Sequence, residues 1–211
     1  NMSTQEHPTN VLLADFEDEM KKQKILLERS AFRGRRVAGI GNTKPSTFGG
    51  LDYFVTSNVV NMAGAKLGPN TLDDVLADLW LTSDAANQVE IVCSMTTARI
   101  LDTSIPVANR EVRMTEGEYN KVVRTYHFRT GSFTVTPTRN VPDGVLYFLN
   151  FRDIKMRPFK GLNWHVTGRN GEDFAVDHDI KAVSGDFTLE VLREKGMAKI
   201  FNFLGTLSSY P

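Results

Sequence analysis

The sequence has little of what would announce a disulfide or metal framework. Its 211 residues include a single cysteine, Cys93, which excludes an intrachain disulfide and a multi-cysteine zinc module and suits a reducing compartment. Charge of one sign is not in excess, because 25 Lys and Arg stand against 25 Asp and Glu. That balance argues against a broad basic field for phosphate, although a local basic patch is compatible with it. No apolar run reaches the ~18 residues of a membrane-spanning helix, and the N-terminus lacks a secretory pattern. A soluble chain is expected. Also missing are a phosphate-binding loop ending in Gly-Lys-Ser/Thr, a Gly-x-Ser-x-Gly elbow and a His-Glu-x-x-His helix. Gly39-Ile40-Gly41 approaches a dinucleotide fingerprint, but the third glycine is absent and Pro45 spoils a following helix.

What is there is globular in composition, 41% hydrophobic and 24% charged, and long enough for one large domain or two modest ones. Asn1 precedes Met2, so either Met2 is a start codon behind an added residue or the chain is a processed fragment. Thr9 or Asn10 is expected to cap a long helix over Val11 to about Arg29. Its acidic first half (Asp15, Glu17, Asp18, Glu19) and basic second half (Lys21, Lys22, Lys24, Arg29) complement the helix dipole, with Glu17–Lys21 and Asp18–Lys22 as expected pairs. From Ser30 to Leu51 there are five glycines and no acidic residue. Arg29, Arg33, Arg35, Arg36 and Lys44 make this the one strongly biased charge run, either a contact for acidic groups or a solvated loop.

Asn70 or Thr71 is expected to cap a second helix through about Ala86, with Leu72, Val75, Leu76, Leu79 and Trp80 on its apolar face. Val89–Cys93 reads as a strand and Thr96–Asp102 as a helix. The period then becomes that of strands. Residues 122–128 and 132–136 form a hairpin about Gly131, and Val145–Leu149 is a buried strand behind the Pro142-Asp143-Gly144 turn. Residues 161–180 read as a loop or ragged hairpin. Phe187–Leu192 and Ala198–Leu204 read as a closing antiparallel hairpin about Arg193-Glu194-Lys195-Gly196.

Candidates for chemistry are few. Cys93 reads as a buried structural cysteine, since a nucleophile would need a lowered pKa and a base. His165, Asp177, His178 and Asp179, with Glu172 and Asp173, are metal-ligating types. In an extended chain, however, His178 points away from both neighbours, which favours a solvated polar loop. His127, between Tyr126 and Phe128, reads as a satisfied sheet histidine.

The elements in order carry a resemblance. The long polar helix, the glycine-rich crossing into Gly49-Gly50-Leu51-Asp52-Tyr53-Phe54, and Gly131-Ser132-Phe133-Thr134-Val135-Thr136-Pro137-Thr138-Arg139-Asn140-Val141-Pro142 resemble the major capsid protein family of tailed bacteriophages. So do Leu146-Tyr147-Phe148-Leu149-Asn150 ahead of Ile154-Lys155-Met156-Arg157-Pro158-Phe159. The closing Gly185-Asp186-Phe187-Thr188-Leu189-Glu190-Val191-Leu192-Arg193-Glu194-Lys195-Gly196-Met197-Ala198 is similar too, with Leu192-Arg193 departing from the commoner Arg-Asn.

The resemblance implies an α+β capsid fold shared by tailed phages and herpesviruses. Residues 1–57 would form the spine helix and crossing of a peripheral domain, residues 58–140 a mixed α/β axial domain, and residues 141–211 the return to the peripheral antiparallel sheet. It implies no enzyme, no catalytic residue, no cofactor and no metal. It implies a virion shell around double-stranded DNA, built from copies of the chain, with scaffold, portal and decoration proteins as further partners and the host cytoplasm as the location before assembly. No specific nucleic-acid recognition and no membrane are implied. Arg29, Arg33, Arg35 and Arg36 are the candidate inter-subunit contacts. The N-terminal arm and extended loop that precede the spine in that family are missing from this chain, so a monomer or small oligomer is expected of it alone. The alternatives are the shell of a bacterial nanocompartment, a small metal-dependent hydrolase using His165, Asp177, His178 and Asp179, and an interaction module using Arg29 to Lys44.

Overall fold

Five consecutive apolar residues, Val145 to Leu149, offer no polar face, and a strand made of them must be covered on both sides. In the computed structural model, which describes residues 8–40, 46–83, 89–106, 110–114, 122–129, 131–158, 165–169 and 180–204, it is. The elements run α1 (Pro8–Arg33), α2 (Leu51–Phe54), β1 (Val59–Asn61), α3 (Pro69–Ser83), β2 (Glu90–Cys93), α4 (Met95–Ser104), β3 (Arg110–Met114), β4 (Val122–Phe128), β5 (Gly131–Pro137), β6 (Val145–Leu149), β7 (Ile154–Pro158), β8 (His165–Arg169), β9 (Ile180–Ser184), β10 (Phe187–Val191) and β11 (Ala198–Phe201).

Strand β6 lies inside a seven-stranded sheet of order β1-β11-β6-β2-β5-β4-β3. The pairs β1–β11 and β2–β5 are parallel and the other ladders antiparallel. The period-2 alternation of side chains divides the interior into two cores. Leu146 and Phe148 join Ile91, Cys93, Ala198 and Ile200 against Leu72, Leu76, Leu79 of α3 and Leu101 of α4. Val145, Tyr147 and Leu149 face the other way, with Val92, Phe32, Leu51, Val55, Leu189 and Met197. Each of these large side chains contributes roughly 1.5–3 kcal/mol on burial.

Ser94 begins α4 as its N-cap, its hydroxyl accepting from the Thr97 N–H at 3.2 Å. The Thr97 hydroxyl in turn accepts from the Gly144 N–H. Gly144 has φ +81°, the left-handed conformation that the Pro142-Asp143-Gly144 turn requires.

The structure departs from the sequence reading in four places. Helix α1 starts at Pro8, whose missing N–H is harmless in a first turn, and continues to Arg33. Among its described side chains the ion pairs are Lys21–Asp18 and Lys22–Glu19, one helical turn apart in the other register. Trp80 does not share the buried face of α3 and is 56% exposed, beside Leu81 at 74%. For the segment 161–180, the hairpin alternative holds in that β8 pairs antiparallel with β9, which begins at Ile180.

Most consequential is that β10 and β11 are not a hairpin. A 3-10 turn at Glu194–Gly196 sends them apart, so that β10 pairs with β7 and β11 enters the large sheet between β1 and β6. Ala198 and Ile200 need the first core, which a peripheral hairpin would deny them.

Lys199 is the charged residue of β11, and it is buried. Its ammonium donates to Asp52 Oδ1 at 2.7 Å, and the Tyr147 hydroxyl donates to the same oxygen at 3.3 Å. The Phe201 ring lies 5.7 Å from the ammonium. Asp52 belongs to α2, so this cluster ties the crossing segment to the middle of the sheet.

Two outcomes test this framework by urea unfolding. Asp52→Asn strands the Lys199 ammonium and is expected to cost about 2 kcal/mol, below the 3–5 of a fully buried pair because Asp52 is one-third exposed. The double variant Asp52→Leu/Lys199→Met should recover most of that loss. Gly34→Ala would bring a methyl within 2.5 Å of the Ser30 carbonyl oxygen and 2.8 Å of the Phe48 carbonyl oxygen, and is expected to cost about 1–3 kcal/mol. Gly68→Ala, with nothing within 4 Å, should be nearly neutral.

Candidate functional site

The helix α1 spans about 39 Å at 1.5 Å per residue, yet of its side chains described, from Glu17 on, only Phe32 is buried. Phe32 packs against Tyr147, ring centroids 6.0 Å apart. Around that anchor, Arg33 Nε donates to the Asn140 carbonyl at 3.1 Å and the Thr138 hydroxyl donates to Glu28 at 3.0 Å. The Thr138-Arg139-Asn140 stretch is therefore a docking strip for the helix C-terminus.

The chain then turns back on itself. Gly34 N–H donates to the Ser30 carbonyl, and Gly50 N–H to the Gly34 carbonyl at 2.7 Å. A Cβ on Gly50 would lie 2.6 Å from Gly34 N, so the two backbones meet where no side chain fits.

Between these points the basic segment forms one wall of an open groove of about 1260 Å³. Gln23, Leu26, Leu27 and Ser30 of α1 form a second wall, Phe48 and Phe54 contribute from the crossing, and Gly185–Thr188 close it. Leu26 is 53% exposed and Val37 49%, an apolar surface that folding of this chain leaves in water. Arg29, Arg33, Arg35 and Arg36 are all exposed. Arg35 and Arg36 line the groove, with Asp186 as the opposing charge, while Arg33 is committed to Asn140.

The residues of the closing motif have local tasks. The Glu194 carboxylate accepts from the N–H groups of Thr56 and Ser57 and from the Ser57 hydroxyl at 2.7 Å. Asn58 Nδ2 donates to the carbonyls of Lys195 and Met197. Partial burial alone would raise the Glu194 pKa, but the three hydrogen bonds and Lys195 outweigh it and hold the carboxyl below its ordinary value. Asn150 caps the 3-10 turn Phe151–Asp153 and donates to Asp153. Arg157 reaches Glu190 across β7 and β10 at 2.6 Å. Sequence reasoning finds these as motif letters and misses the bonding of Glu194, Asn58 and Arg157, whose partners lie 33 to 139 positions away in the chain.

The other candidates offer no chemistry. Cys93 is buried, and burial pushes its thiol up to about 12, the reverse of an activated nucleophile. His127 Nδ1 sits 2.7 Å from the Ser132 hydroxyl across the β4–β5 pair. The backbone of His165 opens β8, while Glu172, Asp173, Asp177, His178 and Asp179 lie outside the described residues. Among the described residues no group of three His, Cys, Asp or Glu could hold a metal. No helix among them is long and apolar enough to cross a membrane.

Glu194 yields a pH test. Its pKa is lower folded than unfolded, so its stabilisation is in place above the ordinary value of 4.5 and is lost as pH falls through the folded value. The urea midpoint of the native chain should exceed that of Glu194→Gln at neutral pH, and the gap should close in acid. A gap that persists unchanged in acid would contradict the bonding described.

Comparison with known proteins agrees with this geometry. The model of the SU10 major capsid protein family matches residues 1–203, and no curated protein matches the sequence. Among solved structures, the chain is similar to the SrpI encapsulin of the holo complex from Synechococcus elongatus PCC 7942. The TM-score is 0.63 at 13% identity, over 99% of this chain and 71% of that one. It is also similar to the capsid of an empty GTA particle, with a TM-score of 0.56 at 13% identity, over 93% of this chain and 66% of that one. At that identity the structural likenesses show a shared α+β shell-protein fold, and the family match carries the assignment. The chain belongs to the SU10 major capsid protein family.

Proposed function

We propose that the chain is the repeating structural subunit of an icosahedral shell around double-stranded DNA in a tailed phage or prophage, acting by assembly and not by turnover. The observation that carries this reading is the family match over residues 1–203. The surface supports it: a long helix anchored at one end, with Leu26 and Val37 half exposed along a groove and Ile25 half exposed on the same helix, is what a subunit completed by its neighbours should present. Residues 58–140 would supply most of an axial domain, and residues 1–57 with 141–211 a peripheral one, the two sharing the large sheet. Arg29, Arg35 and Arg36 are the best placed of the four arginines for contacts between copies, since Arg33 already serves Asn140. Scaffold, portal and decoration proteins would be further partners, and the host cytoplasm the site of the free subunit.

A nanocompartment shell is the second reading, favoured by the likeness to the SrpI encapsulin. The phage reading is preferred because the family model that matches is that of a major capsid protein.

Sedimentation velocity over a wide concentration range tests self-assembly. Concentration-dependent association is expected, weakened by Arg35→Glu/Arg36→Glu. A double variant that sediments as the native chain does at every concentration would contradict the role given to the arginines.

A further inference from the structure

Two exposed surfaces of the chain carry opposite charge, and each has apolar side chains in the midst of that charge. The first is the outer side of α3, whose sequence over Pro69–Ser83 holds three aspartates and no Lys or Arg. Leu72, Leu76 and Leu79 face the first core. Helical spacing puts Asp74, Asp78 and Leu81 in one row on the other side, with Trp80 at its border. Both aspartates are exposed, and so are Trp80 and Leu81.

The second surface is the chain leaving α1. Every residue from Arg35 to Ile40 is exposed; Arg35 and Arg36 stand beside Val37 and Ile40, the last exposed by 64%, and there is no carboxylate. The stretch is held in shape, because Val37 exchanges both backbone hydrogen bonds with Thr47, whose hydroxyl donates to the Arg35 carbonyl at 2.6 Å. Among the described residues, the side chains of Arg35, Arg36, Asp74 and Asp78 form no ion pair or hydrogen bond.

One copy does not bring these surfaces together. Helix α3 covers the Leu146 and Phe148 face of the large sheet, whereas Phe32 and Phe48, on either side of Arg35–Ile40 in sequence, pack on the Tyr147 face. The sheet lies between the two patches.

We propose that Arg35–Ile40 of one copy docks on the outer side of α3 in a second copy, the arginines against Asp74 and Asp78, and Val37 with Ile40 against Trp80 and Leu81. This deepens the shell reading by naming two of its contact surfaces, and rests on it. The patches differ, so the contact is heterologous, and each copy keeps one patch of either kind for a further neighbour. A nucleic acid would match the arginines but be repelled by α3 and leave Val37 and Ile40 uncovered, whereas a second copy matches both surfaces at once. The ionic part weakens as salt shortens the screening length.

Disulfide trapping between differently tagged full-length chains tests the contact. Val37→Cys mixed with Leu81→Cys under mild oxidation should give heterodimers several-fold above those of Val37→Cys mixed with Met95→Cys, a position equally exposed at the start of α4. Cys93 is buried and stays out of the reaction. Adding Arg35→Glu/Arg36→Glu to the Val37→Cys chain should reduce the yield to the control level, and adding Asp74→Lys/Asp78→Lys to its partner should restore it. A chain carrying both Val37→Cys and Leu81→Cys should give a ladder of trimers and larger species.

Yields at the Met95→Cys level, or yields that the charge reversals leave unchanged, would overturn the contact. So would a double-cysteine chain whose product stops at an internal disulfide or at a dimer. Each of these results leaves the shell reading standing, because that reading rests on the family match; it fails separately, on particles in which this chain is not the repeating subunit.

Discussion

Burial of β6 on both faces is the constraint from which the rest of the molecule follows. Leu146 and Phe148 demand cover on one side of the sheet and Val145, Tyr147 and Leu149 on the other. A single helical layer cannot supply both. Helices α3 and α4 provide the first cover, while α2, the C-terminal end of α1 and the β7–β10 pair provide the second. This makes the large sheet a shared wall between two cores, with strands from both sides of residue 140. A body of this kind can hold a projecting element rigidly, because movement of one core would strain the other.

The projecting element is α1. Its fixings lie at one end: Phe32 in the second core, Glu28 and Arg33 on the Thr138–Asn140 strip, and the backbone contact of Gly34 with Gly50. The crossing that leaves α1 is in turn pinned by the Asp52–Lys199–Tyr147 cluster and by Glu194 beneath Thr56 and Ser57. Helix orientation is thus set by short-range bonds to the central sheet, while the exposed Ile25 and Leu26 remain available for a neighbour.

Strands β4, β5 and β6 can be read from the sequence because alternation, Gly131 and the Pro142-Asp143-Gly144 turn are local signals, and the buried face of α3 follows from its period. The α+β class and the family resemblance follow from the order of such signals along the chain. Long-range pairing does not. The strands Phe187–Val191 and Ala198–Phe201 look like hairpin arms because the turn at Glu194–Gly196 is short, and nothing near it in sequence reveals that Ile154–Pro158 and Val145–Leu149 compete for them. Nothing near Lys199 in the sequence signals its burial, because its partner, Asp52, is 147 positions away. The basic segment is visible as composition, but the groove is not, since its walls come from four separate stretches. Trp80 misleads for a different reason: it sits one residue beyond the buried stripe of α3, where hydrophobicity alone does not distinguish core from surface.

The central claim is that the chain is a shell subunit whose α1 and groove face are completed by a neighbouring copy. Cryo-electron microscopy of an assembled shell that contains this subunit tests it most directly. The map is predicted to show repeating subunits with the Gln23, Leu26, Leu27 and Ser30 face covered by density from an adjacent copy. Particles in which that face stands open to solvent would contradict it.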